Sequence, residues 1–255
     1  DLISRQREPP LSPGEEEEEE VEEEGLGLTS LKKRQSPAVL SAFFLQAVGY
    51  TIGNTALTSC LAFYRALYGP EILLKLNCAF ALPSVAMVLA QANLDEQYNH
   101  RFGRSRAHAF RNLVGMLGAA LVTFVLPYLP SGGGKGEAWL VAATLLLGMF
   151  SAAAFGSSLQ VVAMFPGPCT RASALGFVGS APFVLLATEM VGGFSDDPTR
   201  WQLQVLFAWS AAWTMVGLAA ALWILRTHCA HVTGPEGGAG PEAEEGVGLI
   251  EGALR

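Results

Sequence analysis

Six long stretches of the chain carry no charged residue and are rich in apolar side chains. Crossing a hydrocarbon core roughly 30 Å thick takes about 20 mostly apolar residues in a helix. A strand of a membrane β-barrel would instead alternate polar and apolar positions, and blocks such as residues 142–154 are apolar on every side. The pattern therefore predicts six transmembrane helices, over residues 38–62, 72–92, 111–130, 139–165, 172–193 and 202–226.

The composition separates this interpretation from a large soluble protein with buried helices. The apolar and aromatic residues make up 51% of the 255 residues, and the charged residues only 15%. An ordinary soluble domain carries about a quarter charged residues. Too little polar sequence is left to cover six apolar helices in water, so we predict an all-α integral membrane protein that contacts the lipid bilayer.

The acidic net charge of −7 comes from the two ends of the chain. Residues 38–226 contain ten Lys or Arg and seven Asp or Glu, so the predicted membrane domain is mildly basic. Residues 1–37 include nine Glu within the ten positions 15–24, and residues 227–255 are rich in Gly, Pro and Glu. A run of like charges repels itself, and segments of this composition bury little apolar surface. We therefore expect a disordered acidic N-terminal tail over residues 1–37, and a flexible C-terminal tail or the start of a central loop over residues 227–255.

The Lys and Arg residues are concentrated in every second segment that connects the predicted helices, and these segments lie on one side of the membrane. Under the positive-inside rule, the side with the basic loops faces the cytoplasm. That side holds the segments 32–34, 101–111, 171 and 226, whereas the other side holds mixed or acidic loops. Both termini are therefore predicted to be cytoplasmic, in the plasma membrane or an intracellular membrane.

Common catalytic signatures are missing from the sequence. It has no H-E-x-x-H, no G-x-S-x-G and no G-x-x-x-x-G-K motif. Of the Asp, Glu and His residues that acid–base or metal chemistry usually needs, the predicted spans contain only Glu189, near an end. We predict no enzyme activity, no catalytic residues, no metal site, no cofactor and no nucleic-acid partner. A transport pathway can instead be built from uncharged polar groups such as amides and hydroxyls.

Polar side chains inside the spans are the candidates for such a pathway. Asn54 and Thr58 share a helix face at i, i+4, and an Asn side chain both donates and accepts hydrogen bonds. Ser157 and Gln160 lie in the fourth span, where a polar side chain should face protein or a cavity. Bonding between helices is the alternative role for these groups. Arg111 begins the third span, and a positive-inside anchor is the alternative to a gating role.

Three stretches of the sequence resemble the N-terminal half of the equilibrative nucleoside transporter family. The first is residues 49–64, with Asn54 followed by Thr and Ser residues and an aromatic pair. The second is residues 77–115, with Leu82-Pro83, a basic loop and an arginine that begins the third helix. The third is residues 155–179, with Gly-Ser-Ser-Leu-Gln160 and a later Gly176-x-x-Gly179. Together they cover roughly residues 38–226.

This resemblance implies a major-facilitator-like fold in which substrate is held between two halves. It implies transport of nucleosides or nucleobases by alternating access, with Asn54 near the substrate, Gln160 as a polar contact and Arg111 at an inner gate. Ser157 or Gly156 could occupy the position of Gln160. Gly53 stands where the family usually has a tryptophan.

The second half of that fold is not present in the sequence, so the resemblance implies a fragment or pairing with a second copy or another subunit. Two alternatives stay open. One is another major-facilitator-type half, such as a battenin-like protein. The other is a six-helix membrane protein that binds partners without transport.

Overall fold

A computed structural model describes residues 36–102, 104–129, 133–193 and 199–228. Within these ranges the chain is helical and contains no strand. A 3₁₀ turn, Leu126–Tyr128, follows the fourth helix. The α-helices are α1 (Pro37–Ser59), α2 (Leu61–Tyr68), α3 (Ile72–Phe102), α4 (Arg104–Val125), α5 (Gly133–Ala163), α6 (Gly167–Met190) and α7 (Arg200–His228).

Helix α1 lies at the centre of the bundle. It packs along α6 on one side and α7 on the other, and it also contacts α4 and α5. Helix α4 packs against α5 and α7, and α3 packs against α5. In the described part of the chain, α3 and α6 share no substantial interface. The helices thus form an incomplete ring that is open between α3 and α6.

Within the described residues, five helices are long and apolar enough to cross a membrane: α3, α4, α5, α6 and α7. By length and composition the chain is therefore a multi-pass membrane protein, as predicted. Helix α1 has 23 residues but is not among the five. It carries Gln46, Thr51, Asn54 and other polar side chains, and more than half of its residues are buried. A helix surrounded by other helices does not need an apolar outer surface.

The first predicted helix, residues 38–62, is two helices in the structure. Helix α1 begins after Ser36, whose hydroxyl accepts from the Val39 amide at 3.4 Å, and ends at Ser59. The Thr58 and Ser59 hydroxyls donate to backbone carbonyls three residues earlier, at 2.9 and 2.7 Å. Such local bonds compete with regular helix hydrogen bonds. A turn at Cys60 then leads into the short helix α2.

Other helices extend beyond their predicted limits because charged residues do not end them. Helix α3 continues to Phe102 rather than residue 92, and α4 begins at Arg104 rather than residue 111. Lys, Arg, Glu and Gln are good helix formers, so the end of an apolar stretch is not the end of a helix. Helix α6 ends at Met190, before Gly192 and Gly193, whose φ angles of 90° and 75° favour glycine.

Glycines let the central helices approach closely. A Cβ added at Gly49 of α1 would lie 2.9 Å from the Gly217 Cα of α7. A Cβ added at Gly115 of α4 would lie 2.8 Å from the Phe150 carbonyl oxygen of α5. Close backbone contact of this kind is typical of helix packing in membranes.

The outward surfaces of α3 and α6 are apolar, with Leu82 69% and Val178 71% exposed.

The predicted tails, residues 1–37 and 227–255, lie outside the described residues except where they adjoin α1 and α7. Their disorder stays a prediction. The described bundle includes a short helix, α2, that was not predicted separately. That residues 38–226 form one domain of six spans stays a prediction.

Candidate functional site

A cavity of about 440 Å³ lies against α1, between α3, α5 and α6. Val85 and Leu89 of α3 and Phe177 of α6 lie at its rim and are more than half exposed, so the cavity opens between these two helices. Its lining consists of Tyr50, Thr51, Asn54, Thr55, Phe80, Ser84, Val85, Val88, Leu89, Ser151, Ala152, Phe155 and Phe177.

Three hydroxyls of the lining already bond to neighbouring helix atoms. The Thr51 hydroxyl donates to the Ala47 carbonyl oxygen at 2.8 Å. The Thr55 hydroxyl pairs with the Ser180 hydroxyl of α6 at 2.9 Å. The Ser84 hydroxyl of α3 reaches the carbonyl oxygen of a glycine in α5 at 3.0 Å. The Thr55 and Ser84 bonds join neighbouring walls of the cavity, whereas the Thr51 bond stays within α1. All three hydroxyls have little capacity left to donate to a ligand.

Asn54 and Ser151 differ from those hydroxyls. Among the described residues, neither side chain has a hydrogen-bond partner. The Ser151 hydroxyl is buried in a residue that is only 6% exposed, whereas Asn54 is half-buried. A buried polar group without a partner costs about 1–3 kcal/mol. The Asn54 amide offers two donors and an acceptor, and the Ser151 hydroxyl offers one donor and an acceptor. These two side chains are therefore the polar groups that a bound molecule could satisfy.

An aromatic cluster forms one end of the cavity. The Tyr50 ring packs edge-on against Phe155, with ring centroids 5.5 Å apart. Phe177 lies 6.5 Å from Tyr50 and 6.3 Å from Phe155, measured between centroids. The three rings come from α1, α5 and α6, so their cluster exists only in the folded bundle.

No charged side chain is part of the cavity lining in the described residues. Removing an ion from water without a counter-charge costs several kcal/mol or more. The lining is therefore better suited to an uncharged ligand than to an ion.

Of the residues that the sequence indicated, only Asn54 lines this cavity. Thr58 is exposed, and its hydroxyl bonds to its own helix at the Thr55 carbonyl. Gln160 and Arg111 are half-buried in α5 and α4 and are not part of the lining. A gating role for Arg111 stays a prediction.

Ser157, the remaining predicted contact, is fully buried in a separate polar cluster between α1, α4 and α5. The cluster consists of Gln46, His108, Asn112, Ser157 and Ser158, none more than 3% exposed. The Asn112 amide donates to the Ser157 hydroxyl at 2.9 Å, and the Ser157 hydroxyl lies 3.2 Å from His108 Nδ1. Ser157 thus bonds helices together, which was the alternative weighed for these polar groups.

Sequence reasoning missed His108, Asn112 and Ser151. A start of the third predicted span at residue 111 left His108 outside the membrane and Asn112 at its edge, whereas α4 begins at Arg104. The helix-forming residues 104–110 are the signal that would have included His108. Ser151 stands among alanines, and no local pattern marks it as lining a cavity.

Gly53 faces away from the cavity. A Cβ at this position would lie 2.6 Å from Thr123 Oγ1 of α4 and 3.4 Å from a Leu147 side-chain atom of α5. The family tryptophan expected here would therefore point into the bundle interior. The aromatic surface of the cavity comes from the Tyr50 cluster instead.

The described residues contain no group of three or more His, Cys, Asp or Glu side chains that could hold a metal ion. No protein family, curated protein or solved structure matches the chain. The class of the protein therefore follows from the helical bundle. By the length and composition of its helices the chain is a multi-pass membrane protein, and the described bundle has a cavity with an uncharged lining on its open side.

Proposed function

We propose that the chain is part of a membrane transporter for nucleosides or nucleobases that works by alternating access. The observation that carries this proposal is the cavity, with its aromatic cluster next to the unpartnered side chains of Asn54 and Ser151. Its volume of about 440 Å³ is within the range of roughly 300–1,000 Å³ that is common for small-molecule sites.

The chemistry of a nucleobase suits these groups. A base is planar, carries no net charge and presents donors and acceptors along its edge. Stacking on an aromatic side chain contributes about 1–3 kcal/mol per base in single-stranded nucleic-acid complexes. An Asn amide can bond to two adjacent atoms of a base edge, as it does with adenine. Tyr50 and Phe155 are candidates for the stacking contact, and Asn54 for the edge contact.

We propose that α1 is a sixth span and that both termini are cytoplasmic. A helix of 23 residues at 1.5 Å per residue is long enough to cross the hydrocarbon core. Arg106 and Arg171 lie near the N-termini of α4 and α6, and Arg226 lies near the end of α7. With six antiparallel spans these arginines share one side, which the positive-inside rule assigns to the cytoplasm.

The open side of the bundle supports a two-part transporter. Transporters built from two repeats hold substrate between them and expose it alternately to the two sides. We propose that a second half, from a C-terminal part or from a second copy, covers the opening between α3 and α6.

The test is uptake of labelled uridine or adenosine into proteoliposomes that contain the protein expressed from its full coding sequence. We expect saturable flux that Asn54→Ala lowers and Gln160→Ala leaves close to wild type, because only Asn54 lines the cavity. A loss of flux in Gln160→Ala alone would favour the site implied by the family resemblance. No saturable flux from folded protein would refute nucleoside transport and favour a battenin-like carrier of other cargo or a non-transporting interaction protein.

A further inference from the structure

The buried polar cluster lies one helical turn from the cavity along α1. Its α1 member is Gln46, and Tyr50 and Asn54 follow at i+4 and i+8, on neighbouring parts of the same helix surface. Gln46 is only 2% exposed. Any contact that holds Gln46 therefore also affects where α1 places the two cavity residues.

Two groups outside α1 hold the Gln46 amide. Gln46 Nε2 donates to the Ser158 hydroxyl of α5 at 2.7 Å and to Asn112 Oδ1 of α4 at 3.2 Å. The Ser158 hydroxyl in turn donates to the Ala154 carbonyl oxygen at 2.7 Å, which fixes its orientation. Gln46 is thus bonded to both α4 and α5.

In the part of the chain that the structure describes, the adjacent serine, Ser157, reaches Gln46 only through Asn112. Ser157 contacts Asn112 and His108 of α4 and makes no hydrogen bond to α1 in the described residues. Ser157 and Ser158 are nearly equally buried, at 0% and 2% exposure. They form a matched pair in which only Ser158 bonds to α1.

We propose that Ser158 and Asn112 are positioning residues of the cavity. Through Gln46 they hold α1 in the rotation that presents Tyr50 and Asn54 to the ligand. The proposal deepens the proposed function, since it takes the cavity as the ligand site. Loss of the Ser158 hydroxyl leaves Gln46 with Asn112 alone, so α1 can turn or shift where it faces the cavity.

The experiment compares Ser158→Ala with Ser157→Ala by a measurement that needs no nucleoside. Asn54→Cys is introduced into both serine variants and into the wild-type chain. The rate at which the new cysteine reacts with a membrane-permeant maleimide is measured, after subtraction of the labelling rate of the same chain without Asn54→Cys. A net hydrogen bond contributes about 1 kcal/mol, so we expect Ser158→Ala to change the labelling rate about fivefold and Ser157→Ala to leave it within about twofold.

Nucleoside affinity, measured with Asn54 intact, is the second readout. Ser158→Ala should weaken binding of adenosine about fivefold and Ser157→Ala should not, although both variants lose thermal stability to a similar extent. Ser158→Cys, whose sulfur accepts hydrogen bonds only weakly, replaces Ser158→Ala if the alanine variant does not fold.

The outcomes separate the two proposals. Equal effects of the two serine variants on labelling would refute the positioning role, whether or not nucleosides bind. A labelling difference without nucleoside binding by the wild-type protein would support the positioning role and refute the proposed cargo.

Discussion

Replacing Gly53 with tryptophan, the residue usual at this position in the resembled family, is expected to destabilise the bundle. The Cβ of even an alanine would lie 2.6 Å from Thr123 Oγ1, whereas ordinary contact begins at 3.4 Å. The Thr123 side chain would have to rotate, or α1 and α4 would have to separate by up to about 0.8 Å, the difference between these distances. Overpacking a core by a few atoms costs about 1–3 kcal/mol.

The tryptophan adds a whole indole group directed at Thr123 and Leu147, so we expect a loss of at least about 3 kcal/mol. For a domain of this size, 1 kcal/mol corresponds to roughly 2–4 °C in Tm. The expected fall in Tm of Gly53→Trp is therefore about 6–12 °C, or a failure to fold. Gly53→Ala should lose less, about 1–3 kcal/mol.

The assay is thermal unfolding of the detergent-purified protein, followed by the loss of the monodisperse peak in size-exclusion chromatography. Gly134→Ala and Gly134→Trp are the matched controls, because a Cβ at Gly134 meets no atom within 4 Å. Thr123→Ala should restore part of the stability of Gly53→Ala, since it removes the atom in the clash. A Gly53→Trp protein with unchanged Tm and tighter nucleoside binding would refute the orientation of Gly53 described above.

Three further predictions follow from individual hydroxyls. Thr123→Val should leave the free energy of unfolding unchanged or raise it by up to about 1 kcal/mol, because the Thr123 hydroxyl is buried without a partner in the described residues; a fall in Tm would contradict this. Ser84→Ala should lower the free energy of unfolding by about 0.5–1.5 kcal/mol, since its hydroxyl is shared between the Phe80 carbonyl oxygen of its own helix and the Gly148 carbonyl oxygen of α5, and both contacts are lost; chemical denaturation in mixed micelles measures it, and an unchanged midpoint would contradict this. Thr58→Ala should leave adenosine affinity unchanged in equilibrium binding, because the Thr58 hydroxyl bonds to its own helix outside the cavity. Weaker binding would indicate that Thr58 contributes to the site, as the sequence predicted.

The membrane-spanning helices could be predicted from the sequence because the length of an apolar stretch is a local property. Five of the six predicted helices correspond to helices that are long and apolar enough to span. Their ends were less predictable, since helices continue into charged segments such as residues 93–102. The turn at Cys60 depends on side-chain bonds to the backbone and has no signal in hydropathy.

The residues of the candidate site were harder to predict from the sequence. Asn54 could be identified because an amide is conspicuous inside an apolar span. Ser157 was equally conspicuous, and the structure buries it between helices instead. Which polar groups face a cavity depends on how each helix is rotated against its neighbours, and that is a property of the packed bundle. For the same reason the aromatic cluster at Tyr50 could not be predicted from residues far apart in the chain.

The central claim is that the cavity at Asn54 and Ser151 binds an uncharged nucleoside. The most direct measurement is the Tm of the purified protein with adenosine, with adenosine monophosphate and without ligand, for the wild-type chain and an Asn54→Ala, Ser151→Ala double variant. At a concentration about 100 times Kd, binding contributes about 2.7 kcal/mol, or a rise of at least about 5 °C. We predict this rise for adenosine with the wild-type protein only. An equal rise in the double variant, or no rise in the wild-type protein, would contradict the claim.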